Sequence, residues 1–239
     1  MAVDDRWRGA RARIQASAWR GHDDVTVLSP MPDRPGPTAD DVRVEVARLR
    51  EAGNRQVLTG ALHQGELGPF LAAGFVEHER LHLLRHDLRA LPEPASIGST
   101  RRAWRRDHLA VLAIDERAFD GFWALDRRGL EDAVRATPSS RFRVSTDEVG
   151  AITGYAVTGR ATDRGYLQRL AVDPALHRGG IGRTLVADGL RWLRRSGARV
   201  AVVNTQVHNE PALALYLATG FVPEPRGLTV LALDLTAPA

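Results

Sequence analysis

Three glycines within four residues, Gly179, Gly180 and Gly182, stand where an apolar strand gives way to a helix, in the run YLQRLAVDPALHRGGIG from Tyr166 to Gly182. The strand ends at Val172, Asp173-Pro174 turns the chain, and His177-Arg178-Gly179-Gly180-Ile181-Gly182 leads into an apolar-periodic stretch that stops at Gly197. Such a layout builds an anion site. Backbone N–H groups at a helix start have no intrahelical partner, point outward together and carry the positive end of the helix dipole. Glycines let the chain approach a diphosphate without a Cβ in the way. A phosphorylated cofactor is the expected ligand.

The letters exclude the commoner phosphate loops. A Walker loop ends in Gly-Lys-Ser/Thr, whereas Gly182 is followed by Arg183-Thr184 and the chain contains no lysine. A dinucleotide fingerprint needs a third glycine where Leu185 stands, and it opens a βαβ unit instead of falling late in the chain.

The segment resembles motif A of the GNAT superfamily of acyl-CoA-dependent N-acyltransferases, Gln/Arg-x-x-Gly-x-Gly/Ala after the fourth strand, with His177 at the first position. Downstream, Ala198 to Phe221 reads ARVAVVNTQVHNEPALALYLATGF and resembles motif B, with matches at Asn209, Ala212, Leu215, Tyr216, Gly220 and Phe221. The resemblance implies acetyl-CoA as acyl donor. It implies that Leu170, Ala171 and Val172 hold the pantetheine as an added strand. His177, Arg178, Gly179, Gly180, Ile181, Gly182, Arg183 and Thr184 would surround the diphosphate, with Asn204, Asn209 and Ala212 also on the cofactor side. Asn209 equally fits an N-cap before Glu210-Pro211, Asn204 a turn at a strand end, and His177 an exposed turn. Tyr216 matches the family's general acid near the coenzyme sulfur; a phenol with a pKa of about 10 stays protonated at neutral pH. Packing against the sheet is the other role open to it.

By the same resemblance the acceptor pocket maps to Phe119–Asp126 and Pro223–Leu228, and the acceptor is the primary amine of a small molecule or peptide. No general base is assigned. Where some relatives carry a glutamate the chain reads Tyr166-Leu167-Gln168-Arg169, and spacing alone does not aim Asp126, Asp147 or Glu148 at an amine. An acyl-CoA-binding module without turnover is the alternative reading.

A chain of 239 residues with 44% apolar content can bury one or two cores. Without cysteine there is no disulfide, thiol nucleophile or cysteine metal site, and a metal-free protein of the cytoplasm is expected. No leader and no membrane span is expected. The pI of about 10.4 arises because all 33 basic residues are arginine; the formal charge is only +4. Nucleic acid is not an expected partner, and Arg101-Arg102 with Arg105-Arg106 reads as solvated surface.

Gln56 to Leu88 parallels the end of the chain: Leu71-Ala72-Ala73-Gly74-Phe75 answers Leu217-Ala218-Thr219-Gly220-Phe221, and Asp87-Leu88 answers Asp234-Leu235. Upstream, Val42, Val46 and Leu49 mark a helix from Asp41 to Ala52. In this half the cofactor loop is replaced by SPMPDRPGPTADD, rich in proline that has no N–H to donate, and Phe70 and His63 stand at the tyrosine and asparagine positions. The expected organisation is therefore a degenerate, shortened GNAT-like unit over 1–92, a linker LPEPAS from Leu91 to Ser96, and an N-acetyltransferase domain over 93–239. In the second half the pattern predicts a strand at Thr100–Trp104, helices at Asp107–Arg117, N-capped by Asp107, and Arg127–Ala136, and strands at Arg141–Thr146, Ala151–Gly159 and up to Val172. The fold class is α+β: a mixed, mostly antiparallel sheet flanked by helices.

Overall fold

The computed structural model describes residues 13–236 apart from 21, 32–33, 96–98 and 120. The end of the expected linker, Ser96, and part of the proline-rich loop, Pro32 and Asp33, lie outside the described residues. Two compact units form: 1–81 with 226–239, and 82–225. The closing strand of the chain folds with the first unit, so the contact boundary falls elsewhere than residue 92.

The first unit contains β1 (Ile14–Trp19), β2 (His22–Pro30), α1 (Ala39–Glu51), β3 (Gln56–Thr59), α2 (Leu67–Leu71), the start of β4 (Val76–His86) and β11 (Leu228–Asp234). β2 pairs parallel with β3, and β11 pairs antiparallel with both β3 and β4. One face of α1 supplies Val42, Val46 and Leu49 to a core that includes Leu28, Val57, Phe70, Phe75 and Leu231. α1 opens on a capping box: the Asp41 N–H donates to Thr38 Oγ1 at 3.2 Å, and the Thr38 N–H donates to the Asp41 carboxylate at 2.8 Å.

The second unit runs through β5 (Ser99–Arg102), α3 (His108–Ala118), α4 (Arg127–Arg135), β6 (Ser139–Thr146), β7 (Ile152–Ala161), β8 (Arg164–Val172), α5 (Ile181–Arg195), β9 (Val200–Gln206), α6 (Glu210–Ala218) and β10 (Val222–Pro223). β5 to β8 form an antiparallel meander, and β8 then pairs parallel with β9. α3 and α4 pack through Val111, Ile114 and Leu130 onto Val144, Tyr155 and Val157. α5 presents Val186, Leu190 and Leu193 to Leu167, Ala201 and Val203. The mixed, mostly antiparallel α+β class is as the sequence predicts. Asp107 departs from its expected part. Its side chain makes no cap bond to α3 and instead accepts from Arg101 at 2.7 and 2.9 Å and from the Trp104 N–H at 2.7 Å. A charged bidentate partner outcompetes a neutral helix N–H.

The internal repeat is visible in backbone detail. Phe75 N–H donates to the Phe70 carbonyl at 3.1 Å and Phe221 N–H to the Tyr216 carbonyl at 3.0 Å, with Gly74 and Gly220 at φ +93° and +91° between them. A left-handed residue there ends each helix and turns the next aromatic back over it. The ring pairs are edge-to-face in both units, 5.5 Å for Phe70–Phe75 and 5.7 Å for Tyr216–Phe221.

Candidate active site

The β8–β9 ladder covers only Arg164↔Val200, Gly165↔Ala201 and Tyr166↔Val202, although β8 continues to Val172 and β9 to Gln206. The cause is local. On its other side β8 pairs Leu167 with Thr158 and Arg169 with Val157, which leaves Gln168 as an extra residue in a bulge. A bulge bends and twists its strand, and this one follows directly on the last ladder pair. Beyond it, Asp173 N–H donates to the Thr153 carbonyl at 2.9 Å, so by strand alternation Ala171 also faces β7 while the peptide groups of Leu170 and Val172 face the opened side. A free strand edge of this kind accepts an extended, amide-bearing ligand as an added strand.

At the end of β8 the glycine loop forms the entrance of α5. Gly180 is its N-cap at φ +80°, a conformation that places no side chain over the helix end. The first helical bond is Thr184 N–H to the Gly180 carbonyl at 3.0 Å, so the N–H groups of Ile181, Gly182 and Arg183 precede it and form the expected donor row. Arg178, at φ +63°, is exposed beside the row. Gly179 and Gly182 are closely packed: a Cβ would meet the Leu176 carbonyl at 3.2 Å or Leu215 Cδ2 at 3.0 Å. His177 is exposed, with its ring Nε2 3.2 Å from the Val172 carbonyl oxygen. Two neighbouring side chains turn away from the cradle. Arg183 donates to the carbonyls of Glu93 at 2.9 Å and Ala218 at 3.0 Å, and Thr184 Oγ1 to those of Ala95 and Gly180, both at 3.2 Å. These two residues offer the cradle their backbone alone.

Tyr216 is buried on α6 among Leu84, Val203 and Phe221. Burial pushes its pKa up to about 12, with the positive charge of Arg169 pulling the other way. Asn209 caps α6, its side chain accepting the Ala212 N–H at 3.1 Å, and that N–H is thereby engaged. Asn204 lies within β9, exposed and beyond the last ladder pair, and is not a turn residue.

The structure adds a cluster that the sequence reading missed. Asp115 on α3 is fully buried and receives Arg169 in a two-pronged ion pair, Nε at 2.8 Å and Nη2 at 2.7 Å. The Tyr155 hydroxyl and the Leu125 N–H, the latter at 2.6 Å, donate to the same carboxylate. Burial, then the Asp115 charge, raises the Tyr155 pKa well above the usual phenol range. Arg169 Nη2 also donates to the Trp123 carbonyl at 2.8 Å, and its guanidinium lies over the Phe119 ring, 3.4 Å from the centroid. Phe119 and Trp123, expected near the acceptor, are thus pinned to β8. The only sequence signal was an aspartate among the apolar residues of α3, with its partner 54 residues away. Of the carboxylates weighed as bases, Asp126 caps α4 at Gly129 N–H, 2.6 Å, and Asp147 closes the β6–β7 turn at Val149 and Ala151, 3.1 and 2.8 Å. Among the described residues no cluster of metal-ligating side chains occurs, and no helix is long and apolar enough to cross a membrane.

A meander leading to a strand with an open edge, a glycine-capped helix and a second strand–helix pair define an acyl-CoA-type acyltransferase fold. A family model for the Acetyltransferase (GNAT) family matches residues 102–221, half of the chain, and the chain belongs to that family. It is 28% identical over 168 residues to a mycothiol acetyltransferase of Actinosynnema mirum, spanning 66% of this chain and 57% of that protein. A mycothiol acetyltransferase of Salinispora arenicola is 32% identical over 203 residues, 75% of this chain and 66% of that protein. The chain thus spans little more than half to about two thirds of these relatives' lengths. Among solved structures, a tandem GNAT protein from the clavulanic acid biosynthesis pathway aligns at TM-score 0.65 and 15% identity over 90% of this chain and 76% of that one. A GCN5-related N-acetyltransferase from Kribbella flavida aligns at TM-score 0.63 and 16% identity over 92% and 89%.

Proposed function

We propose that the protein transfers an acetyl group from acetyl-CoA to a primary amine by direct attack on the thioester. The observation that carries this reading is the juxtaposition of a strand edge at Leu170 and Val172 that the β8–β9 ladder leaves unpaired, with the His177 ring 3.2 Å from the Val172 carbonyl, and the donor row at Ile181–Arg183. A coenzyme with an amide-bearing arm and a diphosphate is complementary to both. Acetyl-CoA, when bound, supplies an activated acyl carbon. The peptide groups of Leu170 and Val172 hold the arm, and an N–H there serves the carbonyl oxygen as negative charge develops on it. The amine nitrogen bonds to the acyl carbon while the carbon–sulfur bond breaks with its electron pair on sulfur. Tyr216 gives its phenolic proton to the sulfur, and the amine's surplus proton, carried by water, restores the phenol. A pKa of about 12 keeps that hydroxyl protonated at neutral pH.

The acceptor we infer is a small-molecule amine, in keeping with the mycothiol acetyltransferases among the relatives. The test is thermal unfolding with and without acetyl-CoA, followed by thiol release across an amine panel. At about 100 times the Kd, binding adds about 2.7 kcal/mol and raises Tm by several degrees. No rise overturns the coenzyme reading. A rise with no thiol release on any amine leaves a binding module and overturns the transferase.

A further inference from the structure

The guanidinium of Arg169 is nine-tenths buried, its side chain 10% exposed, yet its hydrogen bonds are unevenly spread. Nε and Nη2 serve Asp115 and the Trp123 carbonyl, while Nη1 has no hydrogen-bond partner among the described residues. Nη1 is also absent from the fully enclosed unpaired atoms of the described residues, so this corner of the group touches solvent. Phe119 covers one face of the guanidinium plane and Asp115 fills the edge opposite Nη1. The opening lies on β8 one residue before Leu170, where the strand edge is unpaired, and the Arg169 charge is felt at the Tyr216 hydroxyl. A guanidinium fixed by its other nitrogens, with one nitrogen left to solvent, offers an anionic ligand donors that are already oriented.

We propose that Arg169 Nη1 is an acceptor-binding group that takes a carboxylate of the incoming amine, so that the protein selects acceptors carrying both an amino group and a carboxylate. This inference rests on the acetyl-transfer reading above. A guanidinium corner presents two N–H bonds in one plane, and an anionic oxygen receives them more strongly than a neutral one. Asp115 fixes the orientation of the plane, and the stacked Phe119 and the Trp123 carbonyl prevent it from rotating away. Pinning the carboxylate also holds the amine in one pose.

The experiment follows thiol release with acetyl-CoA and the standard L-amino acids, each paired with its amide, rates being expressed per unprotonated amine. At least one acid is expected to exceed its amide by about tenfold or more in kcat/KM, the scale of one charge-assisted hydrogen bond. In Arg169→Met and Arg169→Leu, neither of which carries an N–H donor, that ratio falls to near one while the acetyl-CoA-induced rise in Tm stays. Amides used as well as acids by the unaltered protein overturn the proposal without any variant having to fold. So does an equal loss on both members of each pair in the variants, which a merely structural arginine would produce. Turnover of neither class despite the coenzyme-induced rise rejects the carboxylate assignment; absence of that rise instead rejects the acetyl-transfer reading beneath it.

Discussion

The two units carry the same strand–helix–strand device, one closed and one open. In the first, β2 and β3 pair through every residue of β3, from Val25↔Gln56 to Leu28↔Thr59, and the Gly60 N–H extends the ladder to the Leu28 carbonyl at 2.9 Å. In the second, the corresponding β8–β9 ladder stops at Tyr166↔Val202. The helix entrances differ in the same sense. α1 begins with Thr38, whose hydroxyl accepts the Asp41 N–H, and with Asp40 and Asp41, which bring two carboxylates to the positive end of the dipole. α5 begins with a bare left-handed glycine and no acid in its first turn. A closed seam and an acidic cap are what stability alone favours. An open seam and an uncapped helix forgo both, the kind of departure from local optimisation that functional sites show, which supports placing the proposed coenzyme site in the second unit.

The contrast can be broken by substitution. The largest effect is expected for Gly182→Asp, which gives α5 the acidic entrance of α1: acetyl-CoA affinity should fall by about a thousandfold, roughly 4 kcal/mol, read as loss of the coenzyme-induced rise in Tm. Retention of that rise would place the diphosphate elsewhere. Tyr216→Phe makes the second unit match Phe70 and should lower turnover about a hundredfold, the low end for a lost general acid, with acetyl-CoA affinity unchanged; undiminished turnover removes Tyr216 as the acid. The same substitution has a signature in alkali. Tyr216 is neutral in the fold up to a pKa of about 12, whereas an unfolded phenol ionises near 10. Its contribution is complete below about pH 10 and is lost as pH rises towards 12, by about 1.4 kcal/mol per pH unit. Denaturant titrations at pH 9 and 11.5 should show a smaller drop in Tyr216→Phe. The converse change, Phe70→Tyr, puts a hydroxyl into a fully buried site and should cost about 1–3 kcal/mol of stability without conferring a second coenzyme site. Smallest, Thr38→Ala should cost about 1 kcal/mol through the lost cap and leave turnover untouched.

Much of this contrast is legible in the letters. The glycines at 179, 180 and 182, the prolines before Thr38, and Phe70 against Tyr216 are local signals, because turn chemistry and capping are decided by neighbours in the chain. The α5 boundaries and the strand ending at Val172 follow from periodicity for the same reason. What escaped is set by distance. Nothing near Gln168 announces a bulge, since its extra residue is defined only against the register of β7. Asp115 looks like an ordinary helix aspartate until Arg169 is folded against it. The placement of β11 beside β3 was likewise invisible, as parallel landmarks in a repeat say which elements exist and not which sheet receives them.

That last strand has a consequence for how the chain comes into being. The Leu231 N–H donates to Thr59 Oγ1 at 2.9 Å across 172 residues of sequence. At a synthesis rate of about 5–20 residues per second, roughly ten to thirty seconds pass between the making of β3 and the making of its neighbour. Throughout that interval the nascent first unit has the flank of β3 that β11 will occupy still bare, a template on which another chain can pair. The second unit waits as well, since Arg85 of β4 pairs with Val222 of β10, which is made almost as late. Crowding of ribosomes on one message would thus be felt while these strand flanks stand bare.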